Sequence, residues 1–96
     1  MADYLITIGS DGNPSPNPLS CGKNDKLYWK NDYTASITTF TLPTCVSPQT
    51  SPAPIAVGGT TIKFQINSGK GSFDYSYGWP STTRGTRTGT IDVGDK

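Results

Sequence analysis

The stretch that decides the fold is residues 71–93, GSFDYSYGWPSTTRGTRTGTIDV. Two runs in it alternate at period two, Phe73/Tyr75/Tyr77 at the start and Ile91/Val93 at the end. They flank a polar connection that opens Gly78-Trp79-Pro80. Alternation of this period marks strands with one buried face. The stretch therefore predicts a strand, a long loop and a closing strand.

The same pattern recurs upstream. Residues 60–67 alternate most cleanly, with Ile62, Phe64 and Ile66 set against Lys63 and Gln65. Residues 4–8 (YLITI) predict a first strand, and residues 26–31 (KLYWKN) put Leu27 and Trp29 inward and Tyr28 and Lys30 outward. Residues 36–42 (SITTFTL) are β-branched and aromatic, a strand by propensity, and residues 19–21 pair briefly before a turn. Pro14, Pro16 and Pro18 make residues 9–18 a loop or a broken edge, since proline lacks the ladder donor. Residues 43–59 carry Pro43, Pro48, Pro52 and Pro54 and end Gly58-Gly59. A connection of that length is either a functional loop or a covering flap. No window shows a 3.6-residue period, so residues 1–96 predict one all-β domain of seven to eight short strands, a sandwich or a small barrel.

Composition narrows the function. Hydrophobic residues make up 32% and charged residues 16%, and the formal net charge is +1. No basic footprint for nucleic acid or anionic lipid is present, and no apolar run is long enough to span a membrane. The chain runs from Met1-Ala2-Asp3 straight into a strand without a charged-then-apolar leader. Its Thr/Ser/Gly/Pro-rich character nonetheless points to an extracellular or periplasmic setting, with the cytoplasm as the alternative. There is no His, which removes Ser-His and Cys-His catalysis. The seven acids are all Asp, spread over turns and strand ends where turn and cap roles are ordinary. The expectation is a non-enzyme.

Cys21 and Cys45 match no zinc spacing and no CxxC. They are either a disulfide or two small buried thiols. The disulfide is the expectation for an exported chain, where closing this loop contributes on the order of 3 kcal/mol.

Three segments resemble the cupredoxins, the small copper-binding β-sandwiches. They are Pro18-Leu19 through Asn24-Asp25-Lys26-Leu27-Tyr28-Trp29-Lys30-Asn31, then Gly58-Gly59-Thr60 into Ile62-Lys63-Phe64-Gln65-Ile66, then Gly71-Ser72-Phe73-Asp74-Tyr75 with Thr88-Gly89-Thr90-Ile91-Asp92-Val93. The resemblance implies a Greek-key sandwich of cupredoxin type. An immunoglobulin-like sandwich is the alternative, although Cys21 and Cys45, which bracket Trp29, lie too close together for its usual bridge. The family's type 1 copper site uses two His, one Cys and a weak axial ligand. The resemblance would place the first His near Ser36 or Ile37, the Cys at about Tyr77, the second His at Trp79 or Pro80, and the axial ligand at Arg87. None of these supplies a soft donor, and arginine is a fixed positive charge. A blue copper centre is excluded on chemistry, and no metal or other cofactor is expected.

The resemblance thus implies a scaffold without its usual function. The expected function is a non-catalytic module binding protein or carbohydrate at a cell surface or in the envelope. Its candidate binding residues are Tyr33, Tyr77, Trp79, Arg84 and Arg87 at the loop end. Two readings of Trp79 stay open: an exposed ring in a binding platform, or a plug filling the space of a copper site. Two further functions stay open as well, an immunoglobulin-like adhesion domain and a self-associating subunit of a fibre, surface layer or virion decoration.

Overall fold

A computed structural model describes residues 3–79 and 85–94. Among them run nine strands: β1 (Asp3–Ile8), β2 (Pro14–Ser15), β3 (Leu19–Gly22), β4 (Lys26–Asn31), β5 (Thr39–Thr41), β6 (Val46–Ser47), β7 (Phe64–Ile66), β8 (Gly71–Gly78) and β9 (Thr86–Gly94). They form a first sheet in the order β2-β1-β4-β7-β6 and a second in the order β3-β9-β8-β5. The two-residue pieces β2 and β6 are the edges of the first sheet. The proline-rich stretch before β3 is thus the predicted broken edge. Two pairings are parallel, β1 with β4 and β3 with β9, and these parallel neighbours join distant parts of the chain.

The inward faces meet in one core. Ile6, Ile8, Leu27, Trp29, Phe64 and Ile66 come from the first sheet, and Leu19, Phe40, Tyr75, Tyr77, Ile91 and Val93 from the second. Trp29 lies at the centre, edge-on to Phe40, Tyr75 and Phe64 at 4.9, 5.2 and 5.6 Å between ring centroids. Edge-to-face contacts of this kind add to what area burial alone contributes. Trp29 and Phe64 are the core residues their alternation predicts. Phe73, expected beside them, is half-buried at the margin of the same cluster. Tyr75 faces Gly89 across β8 and β9, and its phenol occupies the space a Cβ on Gly89 would need. Trp29 Nε1 lies toward the Tyr75 hydroxyl without meeting hydrogen-bond geometry, so both polar atoms stay buried and unpaired among the described residues.

Three local departures from simple alternation shape the surface. Leu27 faces Phe64 while Lys30 bridges Thr60, so two residues of β4 oppose the three residues 61–63. That extra residue is a β-bulge. Thr61 repairs the ladder: its N–H donates to the Trp29 carbonyl at 2.9 Å, and its hydroxyl accepts the Trp29 N–H at 3.1 Å. The bulge turns Ile62 outward, 62% exposed, whereas strict alternation placed it beside Phe64 and Ile66. Next, β9 begins at Thr86, well inside the stretch expected to be loop. Its first inward positions are Arg87 and Gly89, which carry no apolar signal. Finally, residues 43–59 act as the covering flap. Ile55 exchanges backbone hydrogen bonds with Ile37 at 2.9 and 3.0 Å, and the Ser51 hydroxyl donates to the Phe40 carbonyl of edge strand β5 at 3.3 Å. Gly58 N–H donates to the Asn31 carbonyl at 2.6 Å, tying the far end of the flap to β4.

Cys21 on β3 and Cys45 just before β6 are not joined by a disulfide, and both are buried in the inter-sheet core. The disulfide expected from composition is therefore corrected to the other reading, two small apolar side chains filling core volume. Burial, and then the nearby Cys21 thiol, pushes the Cys45 thiol up to about 11. Burial likewise pushes the Tyr75 phenol up to about 12 and raises that of Tyr77. All three groups keep their protons longer in the native state than in the unfolded chain, whose ordinary values are 9.0 for Cys and 10.0 for Tyr. Their contribution to stability is complete below pH ~9 and is lost as pH rises from there through ~12. A urea midpoint that is flat to about pH 8.5 and then falls is the expected result. The phenolate absorbance should reach its full five-tyrosine amplitude only with unfolding. Full phenolate signal while the circular dichroism stays native would refute the burial of Tyr75 and Tyr77.

Candidate functional site

The loop end of the sandwich is organised by a buried asparagine. Asn31 closes β4 facing inward, with no solvent exposure. Its Nδ2 donates to the carbonyls of Ala35 and Ile55 at 2.9 and 3.0 Å, and its Oδ1 accepts the Tyr33 N–H at 3.0 Å. One side chain thereby fixes the 31–35 turn and the flap, and so places Tyr33. A buried amide with three partners is well satisfied.

Tyr33 then packs on Trp79, ring centroids 4.7 Å apart. Tyr77, from the end of β8, meets the same indole edge-on at 5.6 Å. Its hydroxyl donates to the Gly12 carbonyl at 2.8 Å inside the protein. Arg87, the cross-strand partner of Tyr77 on β9, holds its guanidinium 5.8 Å from the Trp79 ring, a cation–π contact. Gly12, at φ 84, closes the cluster from the 9–13 turn. A Cβ there would meet Trp79 at 3.2 Å and Tyr33 at 3.5 Å, so the turn can approach the rings only as glycine. Beside it the Asp11 carboxylate accepts from the Asn13 backbone and side-chain amides, which hold it below the usual carboxylate range, with Arg87 helping.

The structure thus brings together Tyr33, Tyr77, Trp79 and Arg87, as the sequence reading expected. Arg84 lies outside the described residues. Tyr77 and Trp79 are buried, 1% and 7% exposed, and Tyr33 and Arg87 form a half-buried rim. Of the two readings of Trp79, its placement is that of the plug. Its Nε1 has no partner among the described residues. Sequence reasoning missed Gly12, Asp11 and Asn31; the sign that could have revealed Asn31 is a polar residue at an inward position, two after Trp29.

Three of the copper positions of the resemblance, Tyr77, Trp79 and Arg87, fall on this cluster, while Pro80 lies outside the described residues. Ile37 is fully buried, Ser36 is exposed, and Tyr77, Trp79 and Arg87 are locked in the stack. An imidazole or thiolate is needed there and none is present, while a guanidinium sits over the indole. These residues do not fit a copper ion. Among the described residues no three His, Cys, Asp or Glu converge as a metal-binding group, and no helix is long and apolar enough to cross a membrane.

Solved structures share this architecture. A mutant of amicyanin in its reduced Cu(I) form at pH 4 matches with a TM-score of 0.68 and 11% identity, over 95% of this chain and 81% of that one. A methionine-to-alanine mutant of amicyanin with Cu(I) gives 0.66 and 12% over the same shares. Amicyanin from Paracoccus versutus gives 0.65 and 13%, over 95% of this chain and 80% of that one. The chain therefore has the cupredoxin fold, which displaces the immunoglobulin-like alternative, and it lacks the copper ligands. No protein-family model and no curated protein sequence matches it.

Proposed function

We propose that this chain is a non-catalytic, copper-free cupredoxin-like module that binds a protein partner at its loop end, at a cell surface or in the envelope. The observation that supports it is the ring-and-guanidinium stack standing where the resemblance puts copper ligands. Trp79 props up a rim of Tyr33 and Arg87, and Tyr and Arg are among the residues enriched in protein interfaces. A carbohydrate platform is less well supported. Sugars stack on open ring faces, whereas the Trp79 indole is already contacted by Tyr33, Tyr77 and Arg87.

Selection of a random peptide display library on the immobilised domain tests this reading. Enriched peptides should lose most of their binding to Tyr33→Ala and Arg87→Gln, and keep it against Ser72→Ala at the far end of β8. Peptides that ignore both rim substitutions would overturn the reading. Glycan-array binding sensitive to Tyr33 would replace the protein partner with a carbohydrate.

A further inference from the structure

The two outer faces of the sandwich are chemically unlike. On the first sheet, Lys26 and Lys30 of β4 and Lys63 beside them point outward, against Asp3 as the strand carboxylate. Between them lie Leu5 and Tyr28, neighbours in register on β1 and β4, with Lys63 Nζ 5.7 Å from the Tyr28 ring. The bulge adds Ile62, so this cationic face has exposed apolar side chains, Leu5 at 39% and Ile62 at 62%. On the second sheet, the described outward positions are short. Thr39 and Thr41 line β5, Ser72, Asp74 and Ser76 line β8, Thr86, Thr88, Thr90 and Asp92 line β9, and Ser20 lies on β3. They form rows, Thr39-Gly78-Thr86 and Thr41-Ser76-Thr88, and their only charges are the carboxylates of Asp74 and Asp92.

We propose that copies of this chain stack head to tail, the lysine face of one on the hydroxyl-and-aspartate face of the next. Charge selects this pairing. Like faces brought together would oppose lysine with lysine or aspartate with aspartate, whereas unlike faces are complementary. Lys63 and Lys30 already contact Asp3 and Asp32, at 2.7 and 3.6 Å, but exposed pairs of this kind contribute little and can be exchanged. Shape agrees, since twisted sheets pack face to face with strands about 30° apart. Each face is a sheet of four or five strands, broad enough for a face-to-face contact. Leu5, Tyr28 and Ile62 would bury against threonine methyl groups. Because the two faces lie on opposite sides, the contact is heterologous and does not close, so the product is an open stack. The stack does not involve the loop end and stands apart from the partner-binding reading.

The test is solution mass by light scattering over a wide concentration range, in low salt and at about 1 M salt, where the screening length falls to ~3 Å. Mass should grow with concentration in low salt and shrink in high salt. Asp74→Lys with Asp92→Lys, and separately Lys26→Glu with Lys63→Glu, should each raise the concentration needed for growth at least about tenfold. An equimolar mixture of the two variants should regain assembly, since each reversed face then finds its complement. A folding defect could not produce that rescue. Tyr33→Ala should assemble as the wild type does, which separates this result from the loop-end reading. A wild type that stays monomeric throughout, variants that assemble as before, or growth that stops at a dimer would each overturn the proposal.

Discussion

Replacing Gly89 with alanine is expected to cost at least about 3 kcal/mol, enough to bring a domain of this size near unfolding. The reason is steric. Gly89 lies on β9, an inner strand of the second sheet, directly across from Tyr75. A methyl group there would overlap the Tyr75 ring and its hydroxyl. The ring cannot swing away, because Trp29 holds its edge at 5.2 Å and Phe40 stacks on it at 6.1 Å. Overpacking a fixed core commonly costs 1–3 kcal/mol, and more where neither partner can move. At roughly 4–8 °C per kcal/mol for a chain of this length, the melting temperature should drop by at least about 12 °C. Gly69→Ala is the control. No atom lies within 4 Å of the Cβ it would add, so the chain should be unchanged or slightly stabilised. A loss under about 1 kcal/mol for Gly89→Ala would show that the Tyr75 ring is free to move.

Trp79→Ala carries the second large effect, a loss of about 3 kcal/mol in urea unfolding, at the lower end of the range for large aromatic truncations. The indole touches Tyr33, Tyr77 and Arg87 and is 7% exposed, so its removal leaves a hole at the end of the core. Water entering from the rim limits the cost, which is why the lower end is expected. Trp79→Phe should recover most of it by keeping the contact with Tyr33. Tyr33→Ala, which opens no enclosed hole, should cost less than half as much. If Trp79→Ala melts like the wild type, the ring stands in solvent and the plug gives way to an open platform.

Much of the architecture is legible because alternation is a local property. β1, β4, β8 and the end of β9 each put apolar residues inward at period two, and the structure uses them that way. What escapes the reading is decided between strands. Ile62 reads as core, yet the register of 60 against 30 and 64 against 27 demands one extra residue, and the bulge turns it out. The first half of β9 reads as loop because its inward residues are an arginine serving a tryptophan and a glycine yielding to a tyrosine. The gathering of Tyr33, Tyr77, Trp79 and Arg87 is visible through the family resemblance. Which of the two readings of Trp79 holds, plug or platform, is not, since it depends on Gly12, far away in sequence, coming close enough to pack against it.

The place of β9 in the second sheet also bears on how the protein is made. This strand lies between β3 and β8, pairing in parallel with one and antiparallel with the other, and it is the last strand described. During synthesis β3 therefore emerges early without its neighbour and waits until residue 94 has cleared the ribosome. Until then Leu19 and Cys21 have no sheet to join, and the inward side of β8 lacks Ile91 and Val93. Pairings between such distant segments form late and slowly. The domain is thus expected to stay open until β9 has emerged and then to close in one late step, so chaperones that shield exposed strands would act on it chiefly before that point.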